Sequence, residues 1–116
     1  MDRYHTNRRM SLMVTYPLDG TAVVLSGLVP DDTTGDVADQ TRQVLRKIER
    51  LLSEAGADKS HLTHVYIWLP DISDFDTMNA VYDDWVLPNK APARACVEAR
   101  LADPRLKVEI QAFAVK

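Results

Sequence analysis

Cysteine is almost absent: the 116 residues include one, Cys96. A lone thiol excludes an intrachain disulfide framework and any multi-cysteine zinc site. A basic surplus is also missing, with 14 Lys and Arg against 17 Asp and Glu and a formal net charge of −3. Binding to a phosphate backbone normally needs the opposite balance, so nucleic acid is not expected as the main partner. No apolar run is long enough to span a bilayer, and the opening Met1-Asp2-Arg3-Tyr4-His5 carries no apolar signal core. The expectation is a cytoplasmic protein with no membrane partner. The four glycines, Gly20, Gly27, Gly35 and Gly56, match no phosphate-cradling loop. Histidine is scarce as well. His61-x-x-His64 has no third or fourth ligand nearby, and with His5 these read as surface residues, so no metal is expected.

What is present is a globular balance, 46% hydrophobic and 27% charged. The length fits a single domain over residues 1–116, with no linker or repeat to divide it. The first ten residues are polar and basic and receive no assigned structure. From Leu12 to Gly27 two apolar runs flank Pro17-Leu18-Asp19-Gly20, which predicts a β-hairpin. Val37, Thr41, Val44, Leu45, Ile48, Leu51, Leu52 and Ala55 recur at helical spacing, and Gly56 stands where a helix cap belongs. Leu62–Leu69 alternates as a strand stopped by Pro70. Asp74 can cap a second helix with Phe75, Met78, Val81, Tyr82 and Trp85 on its apolar face.

Two strands close the chain, joined at Asp103-Pro104. Arg94, Cys96, Glu98 and Arg100 share one face of the first; Val108, Ile110, Ala112 and Ala114 line one face of the second. The order ββαβαββ predicts an α+β layer, one sheet with two helices packed on one side. The uncovered side then holds Tyr66, Trp68, Cys96 and Phe113, a surface apolar enough to favour self-association over a solvated face with scattered aromatics.

Three side chains are candidates for chemistry. Cys96 lacks a histidine base in its strand pair and reads better as a small buried residue than as a nucleophile. Arg94 opens its strand after Ala91-Pro92-Ala93 and presents a planar fork suited to a carboxylate, although composition alone favours a strand-end arginine in a surface ion pair. Glu109 is either a general acid/base or an outward polar residue. With the last two strands as a hairpin, Glu109 falls four to five positions from Arg94, on the order of 15 Å. If they share a site, two chains must supply them.

These residues carry a resemblance. Ser26-Gly27, the stretch from Asp36 to Gly56 with Gln40-Thr41, Met78-Asn79-Ala80-Val81-Tyr82, Pro92-Ala93-Arg94-Ala95-Cys96-Val97-Glu98 and Val108-Glu109-Ile110 follow one another as in the RidA (YjgF) family, over roughly residues 10 to 115. The Pro-Ala-Arg-x-Cys-Val stretch is the most specific part. The resemblance implies a chorismate-mutase-like α+β fold with a mixed sheet, assembled as a homotrimer with sites at the subunit interfaces. It implies hydrolysis of reactive 2-imino acids or enamines to 2-keto acids and ammonia, with no metal or organic cofactor. Carried over by position, Arg94 holds the substrate carboxylate and Glu109 orients or activates water. Gly27, Asn79 and Cys96 line the pocket, Gly27 and Cys96 mainly through backbone groups.

Two departures stand out. Where the family often reads Gly-Pro-Tyr-Ser, this chain has Arg9-Met10-Ser11, so Met10 takes the place of an aromatic hydroxyl. Leu28 replaces the glutamine that commonly follows Ser26-Gly27. Both bear on substrate range and rate. Other readings on the same framework are a hydrolase of another small carbonyl or aminoacrylate-like compound, and a non-catalytic, chaperone-like trimer that only binds small carboxylates. RNA cleavage, suggested for some relatives, suits neither the acidic balance nor the scattered histidines.

Overall fold

The computed structural model describes residues 1–116. Strands β1 (Asp2–Thr6), β2 (Ser11–Thr15) and β3 (Ala22–Val24) lead into helix α1 (Val37–Glu54). Strand β4 (Leu62–Leu69), helix α2 (Phe75–Trp85) and strands β5 (Ala93–Glu98) and β6 (Glu109–Val115) complete the chain. Strands β1 and β2 form an antiparallel ribbon, and the other four make a mixed sheet in the order β3-β6-β4-β5, with β4 and β5 parallel. Both helices cover one face of that sheet, as expected. No helix is long and apolar enough to cross a membrane.

Helix α1 forms where its signals place it. Asp36 caps it by accepting the Asp39 N–H, and Gly56, at φ 73°, ends it. The Gly56 N–H reaches Ser53 O and the Ala57 N–H reaches Leu52 O, the paired bonds of a glycine-terminated helix. Its buried stripe includes Val44, Leu45, Ile48 and Leu52, packed against Val65, Ile67, Leu69, Ile110 and Ala112 of the sheet. Gln40 lies in the same stripe, fully buried. Its amide bonds Arg105 O and the Lys107 N–H, which pins the β5–β6 connection to the helix.

Three expectations fail. Leu12–Gly27 is not a hairpin: β2 pairs with β1, which forms within the residues left unassigned, and β3 pairs with β6. Pro17–Gly20 links two separate sheets instead of folding one strand onto the next. The last two strands are not neighbours either, because β4 lies between them and pairs with both. The Asp103 turn exists, with Asp103 accepting the Arg105 N–H, but it belongs to a crossover. Finally, Cys96 stands opposite Ile67 in parallel register and packs on the core, so it faces the helices. The open face is left to His64, Tyr66, Trp68, Phe113 and the exposed Val24 and Val97. There His64 stacks on Phe113, ring centroids 4.2 Å apart.

Candidate active site

Arg94 is the second residue of edge strand β5. Its parallel register with Val65 turns its side chain toward the helices. Nη1 donates to Asn79 Oδ1 at 2.7 Å, and the guanidinium carbon sits 4.8 Å from the Tyr82 ring centroid and 5.9 Å from that of Phe75. Phe75, Asn79 and Tyr82 are spaced i, i+4, i+7 on α2, so one stripe of the helix builds this cradle.

The cradle is underused by the chain itself. No carboxylate pairs with Arg94, and its other N–H groups have no acceptor in the protein. Asn79 and Tyr82 are almost wholly buried, yet Asn79 Nδ2 and the Tyr82 hydroxyl also lack partners. Buried polar atoms are rarely left so, and here two belong to the residues that cradle one cation. Burial lowers the Arg94 pKa, but a guanidinium stays charged at neutral pH regardless. Burial pushes the Tyr82 phenol up, which keeps it a neutral hydroxyl. Burial also raises the Cys96 thiol, only partly offset by the Arg94 charge, so the thiolate a nucleophile needs is scarce.

Glu109 lies elsewhere. It stands opposite Trp68 in β6 and so leaves the open face of the sheet. From Val24↔Phe113 to the Leu28↔Ile110 bridge the β3 side spends one residue more than β6, and Gly27 occupies that bulge. A Cβ on Gly27 would overlap the Glu109 carboxylate, so the glycine is what lets the acid lie across the backbone. No ion pair or hydrogen bond of the chain engages that carboxylate.

One chain therefore holds two separated groups. Arg94, Asn79 and Cys96 sit on the helix side; Gly27 and Glu109 sit on the open side. Two strand spacings and three residues of register separate Arg94 from Glu109, roughly 14 Å, and their side chains point to opposite faces. The expected separation holds in size, but its cause is the intervening β4, not a hairpin.

Met10 is half-buried in the turn between β1 and β2, where Asn7 Oδ1 accepts the N–H groups of Arg9 and Met10. The next residue, Ser11, is buried and bonds Ala91 O through its hydroxyl and Pro92 O through its N–H, tying this turn to the start of β5. Phe75 and Tyr82 read from the sequence as core residues only, and their part in the Arg94 cradle appears in the structure. The available signal was a polar Asn79 set within an otherwise apolar helical stripe.

Residues 11–116 match the family model described as endoribonuclease L-PSP. A RutC family protein from Haemophilus ducreyi is 45% identical over 85 residues, 73% of each chain. A 2-iminobutanoate/2-iminopropanoate deaminase from Salmonella typhimurium is 35% identical over 104 residues, 84% of this chain and 81% of its own. The crystal structure of a YjgF-family protein from Neisseria meningitidis superposes with a TM-score of 0.80 at 44% identity, covering 99% of this chain and 93% of its own. A sheet carrying two helices on one face, and a sequence match running through both Arg94 and Glu109, thus agree: the chain belongs to the YjgF/L-PSP family.

Proposed function

We propose that this protein hydrolyses reactive 2-imino acids, or the enamines in equilibrium with them, to 2-keto acids and ammonia. The sites would lie between the subunits of a homotrimer. The observation that carries the reading is the Arg94 guanidinium, anchored at one corner by Asn79 and left with unpaired donors and no protein carboxylate. A planar fork so held is prepared for a bidentate carboxylate, which orients the adjacent C=N carbon. Glu109, brought by a neighbouring chain, would orient a water molecule for attack on that carbon. The adduct carries both hydroxyl and amine, and loss of ammonia leaves the keto acid. Imines hydrolyse readily on their own, so positioning and one carboxylate suffice. The deaminase named among the relatives supports this class of substrate.

The test couples an amino-acid-oxidising enzyme, as the source of 2-imino acids, to semicarbazide trapping. Wild-type protein should lower the trapped fraction and Arg94→Ala should not. Equal trapping with and without protein, across several imines, would leave a hydrolase of another small carbonyl or aminoacrylate-like compound, or a trimer that only binds carboxylates.

A further inference from the structure

A second arginine stands beside the Arg94 cradle with its charge already spent. Arg9 Nε and Nη2 donate to Asp83 Oδ1 and Oδ2, both at 2.8 Å, a closed two-bond fork. The Arg9 guanidinium carbon lies 5.9 Å from the Phe75 ring centroid, the same distance as that of Arg94. Two points so placed about one ring are at most about 12 Å apart. A four- or five-carbon diacid could bridge such a gap, since each fork adds roughly 4 Å between carboxylate and guanidinium carbons. The Arg9 hydrogen bonds hold the Asp83 carboxyl below its ordinary range, so the anion persists at neutral pH. Asp76 also faces Arg9, and Arg8, close to Asp83, spends a donor on Val86 O.

Resting on the carboxylate-binding reading above, we infer that Asp83 is a specificity-determining residue. By closing the Arg9 fork it leaves Arg94 as the one open fork against the Phe75 ring and restricts the site there to monocarboxylates. A second substrate carboxylate meets a neutral Arg9–Asp83 pair in place of a free cation.

The probes are two stable keto acids, 2-oxobutanoate and 2-oxoglutarate, titrated calorimetrically into protein whose fold and oligomeric state are checked by circular dichroism and light scattering. In Asp83→Asn, 2-oxoglutarate affinity should rise on the order of tenfold while 2-oxobutanoate changes little. The double variant Asp83→Asn/Arg9→Gln should lose that gain. Arg9→Gln alone exposes the Asp83 anion and should weaken 2-oxoglutarate by a similar factor, which keeps the test decisive if Asp83→Asn does not fold. A folded Asp83→Asn without the gain, or a gain that survives in the double variant, overturns the inference. If Arg94→Ala binds 2-oxobutanoate as wild type does, the carboxylate reading itself has failed, and the inference with it.

Discussion

Arg94 and Asn79 meet at 2.7 Å across the space between strand β5 and helix α2, and this bond fixes the direction in which the remaining guanidinium donors point. Asn79→Ala removes the anchor while keeping the charge. A hydrogen bond to a charged group is worth about 1.5–3 kcal/mol. The expected outcome is a rise in KM of at least about tenfold with a smaller change in kcat. Arg94→Lys should be nearly as damaging as Arg94→Ala, because a point charge cannot supply the fork. Steady-state kinetics on a defined imine checks both.

Gly27→Ala tests the other group. The added methyl meets the Glu109 carboxylate and must displace it. Turnover should fall by about ten- to a hundredfold, while keto-acid affinity, proposed above to rest on Arg94, should stay near the wild-type value. A matched loss of affinity would place Gly27 and Glu109 in carboxylate binding instead.

Ser11→Ala concerns the clamp between the first hairpin and β5. The Ser11 hydroxyl, 1% exposed, donates to Ala91 O at 2.6 Å and lies 2.8 Å from Thr6 Oγ1. Leaving Ala91 O and Thr6 without that partner should cost about 1–2 kcal/mol of stability. Urea denaturation should show a lower midpoint at an unchanged slope.

His64 gives a pH dependence. Burial against Phe113 lowers its pKa, and Thr63 Oγ1 lies 2.9 Å from Nδ1. A histidine whose folded pKa is depressed favours the neutral ring. Its contribution is intact above the unfolded value, about 6.5, and is lost as pH falls through the folded value. The melting temperature should therefore decline below about pH 6.5, and His64→Gln should flatten that part of the profile. An unchanged slope in the variant would assign the decline to other groups.

The chain's local patterns and its non-local pairings differ in how far they can be read. Helix α1 is legible because a 3.6-residue stripe, an Asp36 cap and Gly56 all agree. Strand β4 is legible from its alternation and from Pro70. Pairing is another matter, since nothing local tells Leu12–Thr15 to join Asp2–Thr6 instead of Ala22–Val24. Strand β1 has no apolar face to advertise it. The Asp103-Pro104 turn looks the same whether its flanking strands pair directly or straddle β4. Of the site, residue type singles out Arg94 and Glu109, whereas Asn79 and Gly27 are marked only by the family resemblance. Phe75 and Tyr82 read as core alone, because a helical stripe does not reveal that an arginine from a strand lies upon it.

The central claim is that Arg94 and Glu109 act on one substrate from two chains. Arg94→Ala and Glu109→Gln should each be inactive alone. Co-expressed in equal amounts and purified as mixed oligomers, they should recover about a quarter of wild-type activity, the fraction of interfaces in a random trimer that pair an intact Arg94 with an intact Glu109. Mixed oligomers confirmed by mass spectrometry but no more active than either variant would contradict the account.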